Sequence, residues 1–273
     1  MINFSIEFFP PKSRNLEDSL WDCLDKIKPF KPSLVSVTYG ADGSTRDRTH
    51  SIVKKIVEDT EIICAPHLTC VNASKEEIKK ILHAYEDLGI ESIVALRGDK
   101  PSTLIHKSND YSFAHELILD IKSRKQFKNI FVAAYPEKHP EAKTMGHDID
   151  NLKRKIDNGA TAAITQFFFN NDFYYDFLNK CQQMSIAIPI IPGILPINDF
   201  NRVSKFSEKC GTSVPDTLFN KFQQIKEGAS HYDVSLEVLT TQVNDLISQK
   251  INSFHFYSLN QPNLMLDLFK AIK

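Results

Sequence analysis

Apolar positions along this chain switch repeatedly between two spacings. Short stretches in which nearly every residue is apolar or β-branched read as strands buried on both faces. Between them, apolar residues recur every three or four positions, as on amphipathic helices. The first strand-like stretch, Asn3 to Pro11, ends in a proline pair that cannot continue a ladder. Asn15 to Ile27 then places Leu16, Leu20, Cys23, Leu24 and Ile27 on one helical face. Strand Ser33–Tyr39, helix Thr45–Val57 and strand Ile62–Thr69 follow. Ser74 with Glu77 forms a capping box, opening a helix that ends at Leu88-Gly89. Strand Ser92–Leu96, a long loop to about Asp110, helix Ser112–Ser123 and strand Asn129–Tyr135 come next. The pattern continues with helix Ile149–Asn158, strand Ala162–Phe168, helix Asp172–Met184 and strand Ile188–Gly193. Two or three helices (Asp199–Lys209, Pro215–Lys226, Ser235–Ser248) precede strand Ser253–Tyr257 and helix Asn263–Ile272.

Eight strands, each followed by at least one helix, predict an α/β fold: a single (β/α)₈ TIM barrel with extra helices between strands seven and eight. The rival, a doubly wound open sheet, would carry a glycine-rich phosphate loop. The chain has nine glycines, no G-x-G-x-x-G and no Walker A motif, and its nearest cluster is Gly40 and Gly43. No composition shift or Pro/Gly/Ser-rich linker divides it, so residues 1–273 are expected to form one barrel domain.

Composition removes other classes. A formal net charge of −1 gives no electrostatic case for nucleic acid or an anionic membrane. The longest apolar run, Ile186 to Ile197, carries three prolines and a glycine and is too short to span a bilayer as a helix. Five cysteines, an odd number, and an N-terminus without a secretion signal point to reduced thiols and a cytoplasmic location.

In a barrel the C-terminal strand ends surround one site. Here they supply Glu7, then Thr38-Tyr39-Gly40, His67, Arg97-Gly98-Asp99, Tyr135 with His139, Gln166, Gly193 and Tyr257. Glu7 stands where a doubly buried strand should carry an aliphatic residue. It must be neutralised, paired with a barrel Lys or Arg, or used in chemistry. His67 lies in C-A-P-H-L-T-C, but Cys64 and Cys70 share one strand face and His67 the other, which argues against a zinc site. Arg97 and Asp99 could pair with each other across the loop turn. Gln166 is a buried amide that needs partners. Arg154 and Lys155 read either as a solvated helix face or as the basic side chains that a pyrophosphate needs in the absence of glycine loops.

These strand ends lie in motifs that identify a family. F-S-I-E-F-F-P-P, S-V-T-Y-G-A, R-D-R-T-H, A-P-H-L-T-C, A-L-R-G-D, A-A-Y-P-E-K-H-P-E-A, I-T-Q-F-F-F, I-I-P-G-I-L-P and F-H-F-Y-S-L-N resemble the bacterial methylenetetrahydrofolate reductases from Phe4 to about Asn260. The resemblance implies noncovalent FAD in a (β/α)₈ barrel. Hydride passes from NAD(P)H to the flavin, then to 5,10-methylenetetrahydrofolate, in ping-pong order. The product, 5-methyltetrahydrofolate, supplies methyl groups for methionine synthesis. Bacterial members point to NADH, and no residue separates it from NADPH. By motif, Glu7 resembles the family's general acid, Asp99 the carboxylate beside flavin and pterin, and Gln166 the amide that binds pterin and nicotinamide in turn. Phe206 matches an aromatic that packs on either substrate, and Tyr257 belongs to the same substrate set. The implied flavin contacts are Thr38, Tyr39, Ala41, His67, Arg97, Gly98, Asp99, Tyr135, His139, Ala142, Asp148, Asn151, Arg154 and Lys155. Two departures stand out. The family's L-N-R becomes Leu259-Asn260-Gln261, and Arg202 replaces a folate-contacting Gln, an exchange that would compensate for the lost charge. The partners implied are these small molecules, with a homo-oligomer expected and no regulatory domain. The rival class is a flavin- or folate-binding subunit, which has no need of an acid placed at the hydride acceptor.

Overall fold

Eight strand-like stretches become nine short strands because one of them is broken. The computed structural model describes residues 2–39, 43–99, 110–225 and 229–272. Among these, β1 (Asn3–Phe8), β2 (Leu34–Val37), β3 (Cys64–Thr69), β4 (Ser92–Leu96), β5 (Asn129–Ala134), β6 (Ala162–Thr165), β7 (Ile190–Ile191), β8 (Gly193–Ile194) and β9 (Ser253–Tyr257) pair in one parallel sheet. Its order is β7-β6-β5-β4-β3-β2-β1-β9-β8. The two ends of that order, β7 and β8, are separated in sequence only by Pro192, so the sheet closes on itself. Proline has no N–H to give. The Pro192 carbonyl accepts from His255 N–H (2.9 Å), while Gly193 N–H turns to Thr165 Oγ1 (2.9 Å).

Helices α1 (Arg14–Ile27), α2 (Gly43–Asp59), α3 (Lys75–Asp87), α4 (Ala114–Lys122), α5 (Met145–Asp157), α6 (Asn171–Gln183) and α10 (Asn263–Ala271) alternate with the strands. Between β8 and β9 stand α7 (Phe200–Cys210), α8 (Asp216–Gln223) and α9 (His231–Ser248), the predicted extra helices. None of the described helices is long and apolar enough to cross a membrane.

Strand alternation sorts the core into layers. Phe4, Ile6, Phe8, Val35, Val37, Cys64, Leu68, Phe254 and Phe256 pack in the main cluster beneath the helices. Leu34, Ala65, Val94, Phe131, Ala162 and Ile164 fill the barrel interior. A third cluster, Phe167, Leu195, Ile197, Phe200, Val203, Leu218, Phe222 and Val234, packs α7–α9 over the C-terminal mouth. Cys64 and Cys70 belong to the layer under the helices, opposite His67, as the face argument requires.

Several boundaries differ from the sequence reading, and three of them have a local cause. Strand six stops at Thr165, not Phe168, because Phe167 leaves the ladder for the third cluster. Helix α5 starts at Met145, four residues before Ile149, because the Thr144 hydroxyl accepts from His147 N–H at 3.1 Å. Helix α9 starts at His231, not Ser235, on a capping box of Ser230 and Asp233.

Candidate active site

The mouth of the barrel holds a cavity of about 260 Å³ lined by Glu7, Thr38, His67, Gln166, Phe206, His255 and Tyr257, among others. Parallel register explains the convergence. Glu7 stands level with Tyr257 on one neighbour and Ser36 on the other, and Ser5 stands level with His255. Residues of one parity on β1 and β9 thus face one another inside the barrel.

Glu7 is 6% exposed. Its partners are histidines rather than the Lys or Arg that pairing would predict. His67 Nε2 lies 3.4 Å from Glu7 Oε2, and His255 Nε2 lies 3.9 Å from the same oxygen. Burial pushes the His67 imidazole down to about 4, with Glu7 opposing and His255 adding to the shift. His67 is therefore neutral at pH 7. His255 Nδ1 lies 2.7 Å from Ser5 Oγ, which also reaches the Phe254 carbonyl at 3.4 Å. With the serine proton on that carbonyl, Nδ1–H donates to Oγ and the Nε2 lone pair faces Glu7. Ser5 and His255 were not singled out by the sequence reading. The alternation in F-H-F-Y was the signal, since His255 shares parity with Tyr257.

One wall of the cavity is aromatic. Phe206, 43% exposed, stacks on Phe167 with centroids 5.5 Å apart and planes at 21°. Tyr257 donates to the Thr165 carbonyl at 2.7 Å, and the Gln166 side-chain oxygen accepts from Phe167 N–H at 3.1 Å. Asn260 straps the end of β1, accepting from Phe9 N–H (3.0 Å) and donating to the Phe9 carbonyl (2.9 Å).

A cleft of about 400 Å³ adjoins this cavity and shares Leu96, Ala133 and Tyr135 with it. Tyr39, Arg97, Gly98, Asp99, His139, Ala142, Asp148, Asn151 and Lys155 line it. Asp148, Asn151 and Lys155 recur at helical spacing on α5, which turns all three to the cleft. The buried Lys155 ends on the Ala133 carbonyl, and burial lowers its ammonium to about 8, against the pull of Asp148. Asp148 Oδ2 accepts from His139 N–H at 2.7 Å. Arg97 does not turn to Asp99. Its fork meets Glu141 instead, at 2.9 and 2.8 Å. Gly98 has φ +86°, and a Cβ there would stand 2.7 Å from Val71 Cγ1. Tyr39 Oη is buried without a hydrogen-bond partner among the described residues.

An orphaned phenol, a buried ammonium and a guanidinium fork along one cleft fit a polar, phosphate-bearing group. The adjoining cavity, walled by Phe206 and Tyr257, fits a planar one. Three expected residues lie apart from both linings. Arg154 is exposed beside Asn151 (Nη1 to Oδ1, 3.5 Å), and the side chain of Arg202 is 85% exposed, 3.2 Å from Asp199. Gln261 is exposed, its N–H on the Ser258 carbonyl at 2.8 Å. Ala41 lies outside the described residues.

The family model described as methylenetetrahydrofolate reductase matches residues 1–273. The chain is 42% identical over 264 residues to 5,10-methylenetetrahydrofolate reductase of Pectobacterium carotovorum subsp. carotovorum, covering 96% of this chain and 87% of that one. It is 41% identical over 264 residues to the enzyme of that name from Escherichia coli (strain K12), covering 96% and 88%. Among solved structures, an uncharacterized protein from Clostridium thermocellum that binds two copies of 5-methyl-5,6,7,8-tetrahydrofolic acid has a TM-score of 0.64 at 14% identity. That likeness covers 99% of this chain and 94% of the other, and it is one of fold. Sequence and barrel agree: the chain belongs to the methylenetetrahydrofolate reductase family and is an oxidoreductase of folate one-carbon metabolism.

Proposed function

We propose that this chain reduces 5,10-methylenetetrahydrofolate to 5-methyltetrahydrofolate with NADH, through noncovalent FAD and by ping-pong turnover, in the cytoplasm. The product supplies methyl groups for methionine synthesis. The observation that carries the reading is Glu7, a buried carboxyl set between two imidazoles and open to the cavity. A carboxyl in that position is within reach to pass a proton from Oε2 to a nitrogen of a substrate in the cavity. Loss of that proton assists opening of the substrate's five-membered ring, and the resulting iminium accepts hydride.

FAD, when bound, supplies the two-electron relay between NADH and folate. The residues of the chain bind and orient. Arg97, His139 and Lys155 would hold the phosphates, with Asp148 and Asn151 beside them, and Tyr39 offers its unpaired hydroxyl. Asp99, on the same cleft, is placed to favour positive charge on the substrate. Gln166 and Phe206 present an amide and a ring face to whichever flat substrate enters the cavity. His255, its ring fixed by Ser5 at Nδ1, would hold the Glu7 carboxyl in place at the cavity wall.

The test is one cuvette. The purified protein should show a flavin spectrum that bleaches with NADH under anaerobic conditions and recovers when methylenetetrahydrofolate is added. A protein that neither carries flavin nor takes up added FAD overturns the reading. A flavin that bleaches without recovering overturns the assignment of the acceptor.

A further inference from the structure

The loop after β5 and the turn after α7 are joined by an acid that the chemistry above does not use. Glu137 lies between Tyr135 and His139, both of which line the cleft, yet it lines neither the cleft nor the cavity. Its Oε2 accepts from Ser213 N–H at 2.9 Å and also from the Ser213 hydroxyl. Its Oε1 is buried with no hydrogen-bond partner among the described residues. A glutamate on an ordinary loop keeps both oxygens in water, and shutting one away unpartnered costs stability. What Oε2 binds is therefore what holds the side chain there.

The turn that it binds fixes the aromatic wall of the cavity. Thr212, buried beside Ser213, donates from Oγ1 to the Phe167 carbonyl at 3.0 Å. Phe167 in turn stacks on Phe206. Gly211, the C-cap of α7, has φ +70°, and a Cβ there would stand 2.9 Å from Pro140 Cγ, so the end of the helix lies directly on the loop. The loop is well fixed on its own side. Lys138 Nζ donates to the His139 and Ala142 carbonyls at 3.0 and 2.8 Å, and Asp148 holds the His139 N–H. Among the described residues none of α7 lines the cleft, but the helix that carries Phe206 is fastened to the loop that carries His139.

We propose that Glu137 is a positioning residue for the cavity: its clasp on Ser213 fastens α7 to the loop of the cleft and holds the Phe167–Phe206 wall against a flat substrate. The inference deepens the reading of that cavity given above and rests on it. A ligand that fills the cleft steadies the loop through His139, and the clasp passes that order to α7, so that the two sites cooperate.

The experiment compares the full chain with Glu137→Ala and Glu137→Gln. Glutamine keeps an acceptor oxygen for Ser213 N–H, and alanine removes it. Hydrogen exchange of the flavin-free proteins reads the clasp by itself. The α7 amides should exchange about tenfold faster in Glu137→Ala and at near wild-type rates in Glu137→Gln. Added FAD should slow those amides in the wild type and in Glu137→Gln, but not in Glu137→Ala. Rapid mixing of the flavin-loaded proteins with NADH should give a Kd for NADH about tenfold weaker in Glu137→Ala, the scale of one aromatic contact. Its limiting rate of flavin reduction and its Kd for FAD should not move. Ser213→Ala removes one of the two donors and should move the exchange and NADH readings part of the way, which serves if Glu137→Ala does not fold. Unchanged α7 exchange in Glu137→Ala overturns the clasp. Equal weakening of FAD and NADH overturns the positioning role and assigns the effect to the loop, and a glutamine variant as impaired as the alanine one overturns the hydrogen-bond account. A wild type that takes up no FAD overturns the flavin reading, while exchange in the flavin-free proteins still decides the clasp.

Discussion

Glu7 is the residue at which this chain departs furthest from what a barrel strand favours. Its neighbours Ile6 and Phe8 are fully buried in the layer under the helices, while Glu7 shares the interior with His67 and His255. The exchange Glu7→Gln keeps shape and hydrogen bonding but removes the transferable proton. Reduction of bound flavin by NADH should persist, while folate reduction falls by at least about 100-fold. Rapid-mixing measurement of the two half-reactions separates them, and an unchanged folate step would sink the assignment. His67 supports a second prediction at this scale. Its folded-state value lies near 4, below the ordinary value of 6.5. Between these two pH values the unfolded chain binds a proton that the folded chain does not, so stability falls as pH drops from 6.5 to 4. The loss should reach about 3 kcal/mol. Urea unfolding across that interval should show a smaller loss for His67→Gln, which has no titrating ring.

Helix α5 shows how much of the site rests on where an element begins. Apolar periodicity placed its start at Ile149, because Gly146, His147 and Asp148 carry no apolar signal. The Thr144 hydroxyl starts it a turn earlier. That turn brings Asp148 into the helix, on one face with Asn151 and Lys155, and leaves Arg154 on the exposed side. Sequence left Arg154 and Lys155 as an undivided basic pair, and only helical phase distinguishes them. Thr144→Ala should lower stability by about 1 kcal/mol. It should also weaken flavin retention, since Asp148 of that turn lines the cleft and fixes the His139 backbone there. Melting curves with and without added FAD test both effects, and a variant that loses stability but retains flavin normally would detach the cap from the site. Helix α7 makes a related point. Arg202 and Phe206 stand one turn apart, but Phe206 packs on Phe167 while Arg202 extends beside Asp199.

At the scale of the whole molecule, closure of the barrel depends on one glycine beside one proline. A Cβ on Gly193 would stand 2.1 Å from the Thr165 carbonyl oxygen and 2.6 Å from Tyr257 Cε2. Backbone cannot yield there without parting β6, β8 and β9. Gly193→Ala should therefore destabilise by at least about 3 kcal/mol or prevent folding. A variant with wild-type urea resistance would show that the strands close in some other way. The residues that this closure gathers come from segments up to 250 positions apart, as Ser5 and His255 show.

Local chemistry carries most of the architecture of this protein. Apolar spacing, the Ser74–Glu77 capping box, the double proline after β1 and the absence of a glycine-rich phosphate loop all act over a few residues, and together they specify eight βα units. Family motifs extend that reading to most of the residues now seen lining the cavity and the cleft. What folding alone decides is partnership. Glu7 faces imidazoles rather than a Lys or Arg, Arg97 pairs with Glu141 rather than Asp99, and Lys155 is drawn in while Arg154 is left out. Each of these depends on strand register, helical phase and burial, which arise between segments distant in sequence, so no local pattern encodes them.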